Sequence, residues 1–255
     1  MKNDPAQLRI LSIDIGGSHV KATILNYKGE LQMEYDKIET PHPATPDNLL
    51  ASVKQLVKDF PAFDCISAGF PGYVRDGIVR TAPNLGTDHW AKVNLAQRLE
   101  QTLGKPAKVV NDADMQGLGV VDGKGLEMVV TLGTGFGTAL LLDGHLLPHL
   151  EYAHQPITKS HTYDAYIGDA ALDIIGKKKW NKRLEHVLSI LKTVFNYDTL
   201  YIGGGNSKKI TFKLEKNIKI VSNEDGIKGG ARLWVPEKET LPVTAVKKHK
   251  SLKKS

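Results

Sequence analysis

Apolar runs separated by glycine turns set the rhythm of the first half of the chain. Residues 8–15 are rich in β-branched side chains and predict a strand; Gly16 and Gly17 make a tight turn, and residues 18–26 predict a second strand. A further turn at Tyr27 to Glu30 leads into a third predicted strand over 31–38. After the Pro-rich stretch 40–46, Asp47 is the expected cap of a helix running to about Phe60. Leu49, Leu50, Val53, Leu56 and Val57 share one face of it. Residues 65–70 read as a buried strand ending in Pro71-Gly72, and 77–81 as a strand-like piece. Residues 95–103 predict a helix stopped by Gly104, and 107–110 a short strand ending at Asn111 and Asp112.

The second half repeats the pattern in type. Strands are predicted over 128–132 and 138–142 around a glycine-rich turn, and Asp143-Gly144 turns into Leu146-Leu147. Helices are expected over 163–175 and 179–195. A strand over 199–202 ends in Gly203, Gly204 and Gly205; a helix, a strand over 218–221 and a last helix near 227–234 follow. Two α/β lobes, each opening with antiparallel strands around a glycine turn, predict a duplicated architecture with a cleft between. We expect an N-terminal lobe over 1–110, a C-terminal lobe over 111–235 with the hinge near 110–113, and a frayed Lys-rich tail over 236–255.

Composition agrees with a globular chain: 41% hydrophobic and 24% charged over 255 residues. No apolar run approaches the roughly 18–20 residues that span a bilayer. The polar residues 1–9 lead directly into a strand, so no secretory signal is expected. The lone Cys65 sits in an apolar run and reads as a buried strand residue. A cytoplasmic setting with no membrane association is the expectation.

The net charge of +6 is local. Lys177, Lys178, Lys179, Lys182 and Arg183 form one basic cluster, and Lys247, Lys248, Lys250, Lys253 and Lys254 another. Outside these ten, 24 basic residues face 28 acidic ones, so the rest of the chain is net negative. Nucleic-acid binding is therefore not expected, and the clusters read as a polyanion contact or a solvated face. Within the first cluster, Trp180 and Leu184 are spaced to anchor a helix with the lysines outward.

Several short elements carry chemistry. At the end of the first strand, Asp14 precedes Gly16, Gly17 and Ser18. The glycines let backbone N–H groups approach a polyanion, Ser18 adds a donor and Lys21 positive charge; a plain hairpin is the alternative. Asp14 can hold Mg²⁺ through water. In the second element, Gly133, Gly135 and Gly137 alternate between two apolar strands, with Thr134 among them. Glycines weaken strands, so a phosphate-cradling turn explains them better than a bulge. The order strand–turn–strand excludes a Rossmann fingerprint, and no Gly-Lys-Ser/Thr ending marks a Walker loop. At the expected hinge, Asp112 can accept a hydroxyl proton with Asn111 orienting the hydroxyl, or Asp112 can cap the next helix. Asp114 reads as a first-turn acid favoured by the helix dipole. Glu151 and His154, three apart, read either as sugar-hydroxyl contacts or as half a metal set; no companion ligands support a structural zinc. His19, His42, His89, His145, His149, His161 and His186 read as surface or packing residues.

Together and in this order, the elements resemble the ROK family of sugar kinases and repressors, from Asp14 to about Ala231. The matching stretches are Asp14 to Ser18 with Lys21, Pro71-Gly72, Pro83-Asn84-Leu85, Asn111 to Asp114, Gly133 to Gly137, Gly203 to Ser207, and 223–231. Within the family, the compact length, the Asn-Asp-Ala-Asp form at 111–114 and the lack of a cysteine-rich zinc motif are similar to polyphosphate-dependent glucokinases. The resemblance implies a two-lobed, actin-like (ribonuclease H-like) sugar kinase fold with a central cleft. It implies transfer of a phosphoryl group from ATP or polyphosphate, with Mg²⁺, to the 6-hydroxyl of glucose. Asp112 becomes the base; Asn84, Asn111, Glu151 and His154 become sugar contacts. Gly16, Gly17, Ser18, Gly133, Thr134 and Gly135 hold the phosphoryl donor, with Gly204, Gly205 and Asn206 on the nucleotide side. A homodimer is the family expectation.

Two departures stand out. Many relatives carry a further acidic sugar ligand after the Glu…His pair, whereas here 155–159 intervene and Asp164 lies farther on. The residue before Ser207 is Asn206 where many relatives have a small apolar side chain. Sugar choice among glucose, mannose, fructose and N-acetylated hexoses, and donor choice, are therefore open. The rival class, a sugar-sensing regulator, needs a DNA-reading module, and only about seven polar residues precede the first predicted strand.

Overall fold

A computed structural model of the chain describes residues 7–234. The expected tail over 236–255 lies outside the described residues. Strands β1 (Arg9–Ile15), β2 (His19–Asn26), β3 (Asp36–Glu39), β4 (Cys65–Phe70) and β7 (Ala107–Asn111) form one sheet in the order β3-β2-β1-β4-β7. Strands β8 (Leu126–Leu132), β9 (Phe136–Leu142), β10 (His145–Leu146), β11 (Thr199–Gly203) and β12 (Ile218–Ile220) form a second, in the order β10-β9-β8-β11-β12. In each sheet the first strand pairs antiparallel with the second and parallel with the fourth. The duplication expected from the sequence is thus a duplication of topology. A small hairpin of β5 (Val74–Arg75) and β6 (Ile78–Val79) completes the strands.

Central strands are buried on both faces, as β4 illustrates with every side chain inside. Cys65 belongs to that buried set; burial, and secondarily Asp64, push its thiol up to about 12, so it is neutral and unreactive. Helices α1 (Pro46–Leu56) and α3 (Leu95–Leu103) cover the first sheet, with a one-turn helix α2 (Thr87–Trp90) between them. Trp90 is fully buried and donates its indole N–H to the Ala44 carbonyl at 2.8 Å. Helix α5 (Tyr163–Ile167) and the long helix α6 (Asp169–Phe195) cover the second sheet. Trp180 repeats the device, fully buried with its N–H on the Ile167 carbonyl at 2.8 Å, and Leu184 is buried beside it while Lys177, Lys178, Lys179 and Lys182 stay exposed.

Some boundaries differ from expectation for local reasons. Thr45, not Asp47, caps α1: its hydroxyl accepts from the Asn48 N–H, because Pro46 has no N–H and suits the first helical position. The third strand is only Asp36–Glu39; Leu31 keeps an isolated bridge to Leu25, and the ladder is interrupted where the Thr23 hydroxyl donates to the Met33 carbonyl at 2.7 Å. The expected helix over 163–175 stops at Gly168 and restarts. The gap expected at 176–178 is a single non-helical residue, Gly176. The expected last helix is α7 (Asn223–Lys228) followed by tight 3-10 turns over Gly229–Trp234.

That last segment returns to the first sheet. The Ser12 hydroxyl donates to the Ile227 carbonyl at 2.7 Å, the Ser67 hydroxyl to the Gly230 carbonyl at 2.6 Å, and the Trp234 indole to Ser67 at 2.9 Å. Helix α4 (Asp112–Val120) packs against α7 and against β8 and β9. The polypeptide therefore crosses between the sheets twice, at β7–α4 and at β12–α7.

Candidate active site

Both sheets aim the carboxyl ends of their inner strands at one cavity of about 330 Å³. The end of β1 brings Asp14, Gly16 and Gly17; the end of β4 brings Pro71 and Gly72; the end of β7 brings Asn111 and Asp112. The β8–β9 turn brings Gly133, Thr134 and Gly135, and the end of β11 brings Gly204 and Gly205. Ligands in open α/β sheets collect at such carboxyl ends. Lys21, Asn84, Glu151 and His154 complete the expected residues found in the wall. Two expected residues lie outside it. Ser18 is exposed on the turn, and its carbonyl accepts from the Thr40 N–H. Asn206 is turned inward by the 3-10 turn Gly205–Lys209 and donates to Asp169 Oδ1 at 2.6 Å.

Asp112 opens α4, and the cap of that helix is Asn111. The Asn111 side-chain oxygen accepts from the N–H groups of Ala113 (2.8 Å) and Asp114 (3.3 Å), and its amide donates to the Gly72 carbonyl at 3.1 Å. The side chain is thus held on three protein groups, and the second amide hydrogen is what it offers a ligand. With capping done by Asn111, the Asp112 carboxyl is left to the cavity, with one oxygen on the Ala113 N–H at 2.9 Å. Burial, then the charge of Asp14, then Asp114 and Glu151, raise the Asp112 pKa to about 7 against the pull of that N–H. Asp14 is also raised by its enclosure, opposed by Lys21 at 3.8 Å. A carboxyl that changes charge near neutrality beside open cavity is suited to take a proton from a bound hydroxyl.

Glu151 sits between two imidazoles. His154 Nε2 lies 3.6 Å from one of its oxygens, and His149 Nε2 lies 3.5 Å from the other. The buried His149 places Nδ1 3.0 Å from Asp114 Oδ2 and stacks on Tyr73 with ring centroids 5.9 Å apart. Reading His149 as a surface or packing residue, and Asp114 as a first-turn acid favoured by the helix dipole, therefore missed an ion pair. The available signal was the extended spacing of His149 and Glu151, two residues apart and so on one side of the chain. Asp164 also lines the cavity. Helix α5, capped by Thr162, brings it against the β8–β9 turn, where Asp164 Oδ1 accepts the Phe136 N–H at 2.6 Å; burial raises its pKa. Gln116 on α4 is a further lining residue that no motif announced.

The alternating glycines divide into two kinds. A side chain at Gly137 would overlap Thr131, and one at Gly135 would meet the Asp164 carboxylate at 2.8 Å, so packing requires both. At Gly133 a β-carbon would meet nothing within 4 Å. Packing does not explain that glycine; access to the cavity does. Among the described residues, the N–H groups of Gly17, Thr134 and Gly135 have no acceptor, whereas those of Gly16 and Gly133 close their own turns. Free amides on two facing glycine turns form an anion cradle.

Among the described residues, no group of three or more His, Cys, Asp or Glu side chains converges as a metal cage. Asp14, one of the carboxylates on the cavity wall, nevertheless fits Mg²⁺. That ion keeps most of its waters and is held by one or two carboxylates plus substrate phosphates.

Two mirrored sheets with a carboxyl-lined cavity between their glycine turns define an α/β sugar-kinase architecture. The comparisons agree. The chain overlays the inorganic polyphosphate/ATP-glucomannokinase from Arthrobacter sp. strain KM with a TM-score of 0.80 and 31% identity, covering 89% of this chain and 98% of that one. It overlays a ROK family glucokinase from Streptomyces griseus, in complex with glucose and AMPPNP, with a TM-score of 0.72 at 19% identity, covering 88% and 98%; at that identity the likeness is one of fold. The polyphosphate glucokinase of Mycobacterium leprae (strain TN) is 31% identical over 214 residues, 79% of this chain and 64% of that protein's length. The ROK family profile matches residues 10–149, and the chain belongs to the ROK family.

The glycine distinction is testable. Gly133→Ala should fold with a melting temperature near that of the wild type, yet lose donor binding. Gly137→Ala should lose about 1–3 kcal/mol through overpacking. Thermal melts paired with a phosphoanion titration separate the two; equal destabilisation by both variants would remove Gly133 from the cradle.

Proposed function

We propose that the chain is a hexose kinase that transfers the terminal phosphoryl group of polyphosphate or ATP to the 6-hydroxyl of glucose. The observation that carries this reading is Asp112. It is a carboxyl with a pKa of about 7 in a cavity shared by polar side chains on one side and two glycine turns on the other. Asn84, Asn111, Glu151 and His154 hold the sugar. Asp112 accepts the 6-hydroxyl proton as that oxygen attacks, and the amides of Gly17, Thr134 and Gly135 with Lys21 hold the donor phosphates in line. Asp14 would hold Mg²⁺ through water, and the ion would supply charge neutralisation at the donor phosphates. Little covalent chemistry is asked of the protein, so positioning and charge stabilisation dominate the rate. Closure about the two inter-sheet crossings would exclude water from the donor.

Asp112→Asn keeps the size and one acceptor of the side chain but removes the base. Turnover should fall by about 10²–10⁴, while glucose affinity stays within roughly threefold, below ~1 kcal/mol. A coupled assay offering glucose with ATP or polyphosphate checks this. Near-normal kcat in the variant would take Asp112 out of the mechanism, and no transfer by the wild type to any hexose would end the kinase reading.

A second surface favours polyphosphate as donor. Lys177, Lys178, Lys182, Asn181 and Phe212 line an open groove of about 430 Å³, with Glu185 at its side. From Gly205 in the cavity wall, the 3-10 turn Gly205–Lys209 runs towards it, and Asn181 ties the two segments. Its amide donates to the Lys209 carbonyl at 3.1 Å, and its oxygen accepts the Thr211 N–H at 2.7 Å. The exposed Lys208 and Lys209 lie on that route. A long polyanion reaches such lysines and a nucleotide does not. Changing Lys177, Lys178 and Lys182 to Gln should raise KM for long polyphosphate several-fold, more at low salt, and leave ATP kinetics unchanged. Equal weakening with both donors, or none with either, would return the cluster to a solvated surface.

A further inference from the structure

His149 is a buried, charged group that the proposed reaction does not use. Neither it nor Asp114 lines the cavity, but Glu151, which the imidazole touches, does. The side chains of His149 and Asp114 are 6% and 7% exposed, against 28% for Glu151. Asp114 stands in the first turn of α4, two residues after Asp112, so the contacts form one run. They lead from the helix that carries Asp112 through Asp114 and His149 to the carboxylate facing the cavity. The pairing is one of charge and distance, since neither ring nitrogen meets a carboxylate oxygen in hydrogen-bond alignment. Burial works against the imidazolium, and Asp114 and Glu151 more than offset it, holding the ring near a pKa of about 9. Among the described residues, the other groups facing this run are Asp112, whose pKa both carboxylates raise, Asp164, whose pKa Glu151 raises, His154 on the far oxygen of Glu151, and the Tyr73 ring.

We infer that His149 is a positioning residue that fixes the Glu151 carboxylate relative to Asp112 and so sets the height at which a sugar sits above the base. This rests on the reading of Glu151 as a sugar contact. Without the imidazolium, the buried Asp114 and the half-buried Glu151 would face each other with no cation between them, an arrangement that costs more than either ion pair is worth. Glu151 would then turn away or take up a proton, and in both cases its acceptor geometry for a sugar hydroxyl is lost. Misplacement of about 1 Å in such a contact can cost on the order of 10²-fold in rate.

Three substitutions separate positioning from packing. A Gln amide nitrogen reaches where Nε2 stands and can still meet Glu151. An Asn amide nitrogen stands where Nδ1 does and meets only Asp114. Phe keeps the stacking on Tyr73 and meets neither. The measurements are glucose Kd by calorimetry without donor, KM for sugar and for donor, and thermal melts. His149→Phe and His149→Asn should weaken glucose binding and raise sugar KM by about 10-fold or more, with donor KM within roughly twofold. His149→Gln, which reaches Glu151 with an N–H but carries no charge, should recover part of the loss, and more of it than His149→Asn. If Phe fails to fold, the Gln and Asn pair still decides. Equal behaviour of Gln and Asn, an unchanged glucose Kd in all variants, or a donor KM that moves as far as the sugar KM would overturn the inference. A wild type that binds glucose without transferring a phosphoryl group would sink the kinase reading while leaving the His149 result legible. A wild type that binds no hexose would sink both.

Discussion

Gathering several carboxyls into one shielded region is the constraint on which the cavity depends, and loss of water is the first cause of the raised pKa at Asp14, Asp112 and Asp114. Asp14, Asp112, Asp114 and Glu151 converge from the end of β1, the first turn of α4 and the chain after β10, and each raises the pKa of at least one neighbour or has its own raised. Such a cluster opposes folding unless countercharges and fixed dipoles are close by. Lys21 sits beside Asp14, His149 between Asp114 and Glu151, and His154 on the outer side of Glu151. Asp112 alone has no cation beside it among the described residues. Its one direct support is the Ala113 N–H in the first turn of α4. Asp112, left without a countercharge, is raised to about 7, and a carboxyl that changes charge near neutrality is suited to take a proton.

The fold supplies the convergence. Because the two sheets share one topology, the two hairpin turns and the ends of the parallel strands open onto the same space. The return of residues 227–234 to the first sheet, through Ser12 and Ser67, ties the second sheet's last element to the first. Helix α4 lies between these crossings, so the residue at its first position is set by packing from both sheets. A short helix so held can keep an acid in a costly environment, where a loop would let it turn to water.

Local signals account for what was legible in the sequence. The glycine turns, the strand over 65–70 and the helix over 95–103 with its Gly104 stop follow from periodicity and backbone preference, which act within a few residues. The cap of α1 was misassigned because Pro46 shifts the cap to Thr45. The third strand is shorter than its pattern predicts, with an interruption where the Thr23 hydroxyl of the neighbouring strand meets the Met33 carbonyl. Nothing near Asp164 in the chain announces its place in the cavity wall. That place depends on α5 packing against the second sheet, 28 residues from the Phe136 amide that it accepts. Likewise Asp114 and His149 are 35 positions apart, and only the fold makes them an ion pair. The glycines of the second turn looked alike in sequence, yet Gly135 and Gly137 answer to packing and Gly133 to the cavity.

The pH dependence of kcat/KM for glucose tests the central claim most directly, since it reports the pKa of the essential base in the enzyme form that glucose meets. Burial, and then the charge of Asp14, raise the Asp112 carboxyl from its ordinary 3.8 to about 7, so it is largely charged and able to take a proton only at and above about pH 7. With donor saturating, kcat/KM should therefore be level at pH 8, fall to about half near pH 7, and drop about tenfold for each further pH unit. A profile that stays level from pH 8 down to pH 5 would mean that no carboxyl raised by its neighbours accepts the proton, and would contradict the account.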